Sequence, residues 1–133
     1  MSTIVVGTIK GQSGALPPII QNSSGTEIGQ FCRAFVYFND SGTIMQSSST
    51  NVAFNVSSVA DNGSSEYTIT FATAFADTAY MPVVQCSEND DGRCAICNSQ
   101  YNTASACKMF TRSGFTSSRS DANNNMVTIW NVV

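Results

Sequence analysis

The sequence predicts one all-β domain, an antiparallel β-sandwich of about 6–8 short strands, behind an extended N-terminal arm. Composition is the first reason: Ser, Thr and Asn make up a third of the 133 residues, and charged residues make up only 11%. These short polar side chains compete for backbone hydrogen bonds, so they disfavour helix interiors and favour strands and turns. Patterning is the second reason, because apolar–polar alternations recur about every 10–12 residues with turn clusters between them.

Residues 1–30 are predicted to form the arm. They hold Pro17-Pro18 and five of the nine glycines, and only Ile4–Ile9 has the pattern of a strand. An arm without a core must lie along its own domain, along a neighbouring subunit or in a socket of a larger assembly. The three apolar residues before Gly7 are too few for a secretory signal, so we expect the chain to fold in a cytoplasm.

Residues 31–133 are predicted to form the sandwich. An aromatic-rich strand is predicted at Phe31–Phe38. The segments Asn51–Val56 and Glu66–Phe71 alternate as half-buried strands do, and Asp61-Asn62-Gly63 between them predicts a tight hairpin. Further strands are predicted at Thr43–Gln46, Ala79–Cys86, Cys94–Asn98, Cys107–Thr111 and Met126–Val133.

Pro82 and the aromatic residues predict two further details of the sandwich. Pro82 interrupts a predicted strand, and because proline has no N–H to donate, this strand is predicted at a sheet edge or a bulge. The aromatic residues at alternating strand positions are predicted to form the core: Phe31, Phe35, Phe54, Tyr67, Phe71, Phe75 and Trp130.

The chain contains no histidine, which removes the commonest general base, the usual catalytic triads and the commonest metal ligand. Two carboxylates could still act as acid and base, as they do in glycosidases. The acidic cluster Glu88–Gly92 fits a solvated loop better than a calcium loop, because it lacks the alternating acidic spacing and a terminal Glu. We therefore expect no enzyme activity, no cofactor and no metal.

Five cysteines, at positions 32, 86, 94, 97 and 107, leave three interpretations open. Buried free thiols suit an odd count in a chain without a signal peptide. Disulfide bonds are a second interpretation. A zinc site is the third, because Cys94 and Cys97 have the spacing of half a site that Cys86 and Cys107 would complete. In a strand, however, residues three apart point to opposite faces unless a bulge intervenes.

Candidate binding residues lie in two polar loops, since loops on a rigid sandwich often carry recognition. Tyr101 and Asn102 belong to a stretch of amides, where an exposed Tyr ring can stack on a sugar. Arg119, Asp121 and Asn123 lie in the second loop and offer hydrogen-bonding groups. The net charge is −3 and the six basic residues are scattered along the chain, so we expect no nucleic acid partner. No apolar run is long enough for membrane insertion.

Three runs of the sequence occur together: RAFVYFN at 33–39, FNVSSVADNG at 54–63 and YTITFATAFADTAY at 67–80. They follow the leader PPIIQNSSGTEIG at 17–29. This set resembles a family of bacteriophage tail fibre proteins that is frequent in viruses of aquatic bacteria, including cyanobacteria. The resemblance is good over residues 26–85 and loose elsewhere.

A second, more distant resemblance rests on Phe71, Phe75, the run Met81–Gln85, the run Ser113–Thr116 and Trp130 in the last strand. This order of residues is similar to H-type lectin-like fibre tips, which are antiparallel sandwiches that assemble as trimers. No residue-level motif for their sugar ligands is recognisable in this chain.

The two resemblances imply a homotrimer in the virion tail, made in the host cytoplasm. The arm, residues 1–30, would contact other tail or baseplate proteins, and the sandwich would contact the host cell surface, with a glycan as the candidate ligand. One alternative is a purely structural collar, baseplate or capsid decoration protein without receptor binding. Another is a fibre tip that cleaves glycans with two carboxylates. The cysteine-rich segment 86–107 departs from the family and is the candidate host-specific part.

Overall fold

The computed structural model describes residues 20–21, 23–25, 27–29, 31–45, 52–87, 93–97, 99–113 and 118–131. Three features discussed above lie outside these residues: the strand predicted at Ile4–Ile9, the Pro17-Pro18 pair and the acidic cluster Glu88–Gly92. The chain divides into two compact units, Met1–Phe31 and Cys32–Val133.

In the first unit, β1 (Ile20–Gln21) pairs antiparallel with β2 (Glu27–Gly29). Gly25, between the two strands, has a φ of 80°, a left-handed conformation that glycine adopts without steric cost. These residues therefore form a short hairpin within the segment predicted to be an extended arm.

The described part of the second unit contains two antiparallel sheets of four strands each. The first sheet has the order β4-β3-β10-β7, with β3 at Ala34–Asn39, β4 at Ala53–Phe54, β7 at Tyr80–Ser87 and β10 at Asn124–Asn131. The second sheet has the order β5-β6-β9-β8, with β5 at Val56–Asp61, β6 at Glu66–Phe71, β8 at Arg93–Cys97 and β9 at Ala106–Ser113. The predicted antiparallel β-sandwich is confirmed, and β7, which holds Pro82, is an edge strand as predicted.

The core lies between the inner faces of the two sheets. In β6 the predicted alternation is confirmed, because Tyr67, Ile69 and Phe71 are buried while the residues between them are half-buried. The ring of Phe38, from β3 in the opposite sheet, meets the Tyr67 ring edge-on at 5.1 Å. The other buried members of the core are Ala34, Val36, Tyr80, Cys107, Met109, Val127 and Ile129.

Four of the aromatic residues predicted as core lie elsewhere: Phe31, Phe54 and Trp130, which are exposed, and Phe35, which is half-buried. The buried positions of β3 are Ala34, Val36 and Phe38, so Phe35 points away from the core. Because side chains alternate with a period of two, a difference of one residue in register moves a whole set to the other face.

The segment predicted as one strand at Asn51–Val56 is divided at Asn55, which has a φ of 52°. Residues before it belong to β4 in the first sheet, and residues after it belong to β5 in the second sheet. A single left-handed residue therefore carries the chain from one sheet to the other.

The hairpin predicted at Asp61-Asn62-Gly63 is present, because β5 and β6 pair antiparallel on either side of it. Its tightest point lies further along the chain, where Ser64 and Ser65 have φ angles of 50° and 60°. The Glu66 amide donates a hydrogen bond of 3.1 Å to the Gly63 carbonyl and closes this turn. Two serines thus occupy the left-handed positions where Asn and Gly are favoured.

Four of the five cysteines are at described positions and form no disulfide bond there: Cys32, Cys86, Cys97 and Cys107. Cys107 is fully buried on β9, and burial raises the pKa of its thiol to about 12. Burial also raises the pKa of the half-buried Cys97 thiol on β8. The side chain of Cys94 lies outside the described residues.

Two observations bear on metal and membrane binding. Across the part of the chain that the structure describes, no group of three or more Cys, Asp or Glu side chains could hold a metal ion. The same residues include no helix with the length and apolar character to cross a membrane.

Candidate functional site

The two outer surfaces of the sandwich differ in chemistry. Large apolar side chains occupy outward positions of all four strands of the first sheet, and this surface is called the apolar face below. Its members, with their exposed fractions, are Met81 (57%), Val83 (51%), Phe54 (49%), Met126 (40%), Trp130 (40%) and the half-buried Phe35.

The pairing of strands brings these side chains together across the sheet. Met81 on β7 lies opposite Trp130 on β10. Phe35 on β3 lies opposite Phe54 on β4, and their rings stack with centroids 6.1 Å apart. None of the described outward positions in these four strands carries a charge. The result is a continuous neutral surface of apolar side chains.

One end of the apolar face is polar. A cleft of about 180 Å³ lies across β3, β10 and β7, with Tyr37, Gln85 and Asn124 in its lining. The Tyr37 hydroxyl donates a hydrogen bond of 2.6 Å to the Asn124 Oδ1. Asn125 beside it is fully buried: its Nδ2 donates to the Ala122 carbonyl at 2.9 Å, while its Oδ1 has no partner among the described residues. The cleft therefore adds amide and hydroxyl groups to the edge of the apolar face, and no charge.

The outer surface of the second sheet is called the charged face below: Glu66, Tyr101, Lys108, Phe110, Arg112 and Arg119. Lys108, Phe110 and Arg112 stand at alternate positions of β9, on the side opposite the buried Cys107 and Met109. Glu66 begins β6 directly opposite Phe110. Arg119 forms a bridge with Arg112, so it lies alongside β9 beyond the start of β6.

Glu66 connects the basic side chains of this face. The Lys108 Nζ lies 2.7 Å from one carboxylate oxygen of Glu66, and the Arg119 Nη1 lies 3.6 Å from the other. The hydrogen bond from Lys108 lowers the pKa of the Glu66 carboxyl. The Lys108 ammonium also lies over the Tyr101 ring, 5.1 Å from its centroid. A chain of contacts therefore runs from Tyr101 through Lys108 and Glu66 to Arg119.

Phe110 is an aromatic side chain on an outer surface, yet it is buried. The guanidinium groups of Arg112 and Arg119 lie 5.2 Å and 5.0 Å from the centre of its ring and cover it. Such cation–π stacking keeps both charges at the surface while it shields the ring. Among the described side chains of this face, three cations and one carboxylate give a formal charge of +2 (3 − 1), although the whole chain carries −3.

Two of the predicted binding residues come together on the charged face. Tyr101 ends the 3-10 turn Ser99–Tyr101 between β8 and β9 and is exposed, and Arg119 comes from the loop before β10. The pair Lys108–Glu66 joins them. Residues far apart in sequence thus share one surface.

The other predicted binding residues are placed differently. Asn102 is half-buried, and its Oδ1 lies 3.9 Å from the Cys97 Sγ. The Asp121 Oδ1 accepts a hydrogen bond of 3.2 Å from the buried Tyr67 hydroxyl, so this carboxylate is tied to the core of the sandwich. Asn123 is exposed.

The six basic residues are scattered along the sequence, but the fold brings three of them, Lys108, Arg112 and Arg119, to the charged face. Glu66 and Lys108 were not recognised as candidates. A signal was present, since Lys108 and Arg112 alternate with buried positions along β9 and must therefore project outward from the sheet.

No protein-family model, no curated protein and no solved structure matches the chain. The fold and its surfaces define a β-sandwich with one neutral apolar face and one charged face.

Proposed function

We propose that the chain is a structural protein of a bacteriophage virion, a tail fibre subunit that assembles as a homotrimer through the apolar face and contacts the host surface with the rest of the sandwich. The resemblance of residues 26–85 to tail fibre proteins supports the virion assignment. The apolar face carries the proposal of assembly, because a continuous exposed apolar surface of this kind is often a contact surface for another molecule.

The size of the apolar face limits the interface that it can form alone. The four strands contain two, six, eight and eight residues, and at about 3.4 Å per residue and about 4.8 Å between strands they cover about 400 Å². Two such surfaces in contact would bury about 800 Å², which is less than specific protein interfaces usually bury. The N-terminal arm would supply the further contacts in the assembled fibre.

The charge of the apolar face favours a second copy of the same chain as its occupant. Identical surfaces brought around a common axis oppose like with like, so any charge on them would repel its own copies. The described outward positions of this face carry no charge and meet no such cost. The charged face, with a formal charge of +2, would bring like charges together in the same arrangement.

Sedimentation of the full chain tests the assembly. We expect a trimer at micromolar concentration, and a fluorescence emission from Trp130 that shifts to longer wavelength when dilution dissociates it. Met81→Lys places a charge at the most exposed apolar position and opposite Trp130. Because Met81 is 57% exposed, loss of its burial in the interface costs about 1–2 kcal/mol per subunit, and burial of the lysine charge adds to this cost. This variant should therefore be monomeric at concentrations where the native chain is trimeric.

Ile96→Lys is the matched control. Ile96 lies on β8 in the second sheet and is 38% exposed, against 57% for Met81, so its substitution also replaces an exposed apolar side chain with the same charge, but off the apolar face. It should leave the trimer intact. A native chain that sediments as a stable monomer at micromolar concentration would contradict the proposed assembly.

Two further measurements test the virion role. Labelled antibody against the chain should decorate the tail in images of the particle, and decoration of the capsid or collar would contradict the tail assignment. Purified protein should bind host cells and not non-host cells. Equal binding to both, or to neither, would favour the purely structural alternative.

A further inference from the structure

The charged face carries more basic side chains than are needed to cover the Phe110 ring. Three of the six basic residues of a net-negative chain converge on it, and they are arranged around Tyr101 and Phe110. Phe110 is covered by two guanidinium groups, whereas the Tyr101 ring stays exposed beside Lys108. The face therefore combines a local positive charge with one open aromatic ring.

We propose that the charged face binds an acidic polysaccharide, a chain of sugars that carry carboxylate groups. This inference rests on the proposed function, because it names the class of host glycan that the fibre contacts. Arg119 and Lys108 hold the sugar carboxylates through charge-assisted hydrogen bonds, and the ring of Tyr101 packs against the apolar side of a sugar ring.

The positions of these groups suit a polymer more than a single sugar. Lys108 and Arg112 are four residues apart on β9, which corresponds to about 14 Å along the strand. Tyr101 adjoins the Lys108 end of this row, and the guanidinium of Arg119 lies over Phe110 in its middle. A ligand that contacts the row from Tyr101 to Arg112 must be extended.

Nucleic acid is the competing polyanion, and the face suits it less well. Double-stranded nucleic acid carries one negative charge per about 1.7 Å of its axis, a denser charge than one carboxylate per sugar, so the net charge of −3 on the whole chain repels it more strongly at long range. Single-strand binding usually stacks successive bases on several open aromatic rings. On the described part of this face, Tyr101 is exposed while Phe110 is covered.

Glu66 allows a prediction of whether a substitution strengthens or weakens binding of an anionic ligand. Its carboxylate is 2.7 Å from Lys108 and 3.6 Å from Arg119, so it competes with an anionic ligand for both cations. Removing this charge should strengthen binding, whereas removing Arg119 should weaken it. Opposite effects at two residues in contact cannot arise from a general loss of fold.

The test measures binding of the full chain to polygalacturonate by biolayer interferometry, with dextran as the neutral polymer and single-stranded DNA as the competing polyanion. Arg119→Gln should weaken binding to polygalacturonate about fivefold or more, and Glu66→Gln should strengthen it about threefold. Tyr101→Ala should weaken binding as well and, unlike Arg119→Gln, should leave its salt dependence unchanged.

Arg33→Gln is the matched control for Arg119→Gln. Arg33 also stacks over an aromatic ring, that of Phe75, at 5.8 Å, but it adjoins β3 in the other sheet. It removes the same charge from the chain and should leave binding unchanged. Melting curves by circular dichroism check that each variant is folded.

Three results would overturn the inference: no binding of the native chain to polygalacturonate, binding of DNA as tight as binding of polygalacturonate at the same salt concentration, or equal effects of Arg33→Gln and Arg119→Gln. These failures are distinguishable from failure of the proposed assembly. A trimer that does not bind polygalacturonate contradicts the site alone, and a monomer that binds it contradicts the assembly alone.

Discussion

Asn55 is the residue whose substitution tests the fold most directly. It has a left-handed backbone and carries the chain from the first sheet to the second. Its Nδ2 lies 3.3 Å from the Arg33 carbonyl and 3.2 Å from the Thr73 carbonyl, and its Oδ1 accepts from the Thr73 amide at 2.8 Å. The side chain therefore ties the approach to β3 to the loop that follows β6.

Two substitutions separate the backbone from the side chain. Asn55→Gly removes the three side-chain hydrogen bonds, each with a net value of about 0.5–1.5 kcal/mol. Because two of these bonds are exposed, their contributions lie at the low end of that range. We expect a loss of about 2 kcal/mol in the free energy of unfolding. Asn55→Ala removes the same bonds and adds a left-handed cost of about 1–2 kcal/mol, offset in part by the lower entropy of its unfolded chain. The Ala variant should therefore be the less stable of the two by about 1 kcal/mol.

Urea denaturation followed by circular dichroism measures these differences, at one fixed protein concentration because association raises apparent stability. Asn62 provides the comparison. It also donates side-chain hydrogen bonds, to Thr68 and Glu66, but its φ is not positive. There the Gly variant should be less stable than the Ala variant. If Asn55→Ala proved as stable as Asn55→Gly, the left-handed backbone would not be the constraint that fixes this crossing.

Three further predictions concern single side chains. Tyr67→Phe removes a buried hydroxyl that lies 2.8 Å from the Asp40 carbonyl and 3.2 Å from the Asp121 Oδ1, so urea denaturation should show a loss of about 1–2 kcal/mol, and no loss would contradict a stabilising role of this hydroxyl. At pH 8 only about one in ten thousand Cys107 thiols is ionised at a pKa of about 12, so mass spectrometry should find it unlabelled by a thiol reagent until the chain unfolds. Because Lys108 lowers the Glu66 pKa, the ion pair stabilises the folded chain at neutral pH, and this stabilisation is lost as the pH falls through that pKa. The difference in free energy of unfolding between the native chain and Glu66→Gln should therefore vanish in acid. A difference that stays constant with pH would contradict a stabilising ion pair.

The sequence predicted the fold class because its signals are local. Strand alternation in β6, the hairpin before it and the proline on an edge strand depend on residues close in sequence, and all three are confirmed. The strand Asn51–Val56 was predicted as continuous because the left-handed conformation of Asn55 leaves no trace in an alternating pattern. Asn tolerates that conformation, but it is equally common in ordinary turns.

The prediction of the core failed where an aromatic residue was taken as sufficient evidence of burial. Trp130 and Phe54 have the apolar character of core residues, but the register of β10 and β4 puts them on the outer surface. Register depends on the pairing of strands distant in sequence, so local patterns cannot fix it. The same reason explains why Tyr101 and Arg119 were candidates in separate loops and Glu66 was overlooked.

The two outer faces of the sandwich differ in chemistry, so the proposed assembly and the proposed binding use separate surfaces. The core consists of side chains from the inner faces of the two sheets, so the outer faces can differ in chemistry without loss of the fold. The sheets lie about 10 Å apart, and groups separated by that distance act almost independently. A trimer held through its apolar faces would turn three charged faces outward. Each would then bind the same polymer weakly, and linkage of the three would raise the affinity far beyond that of one site.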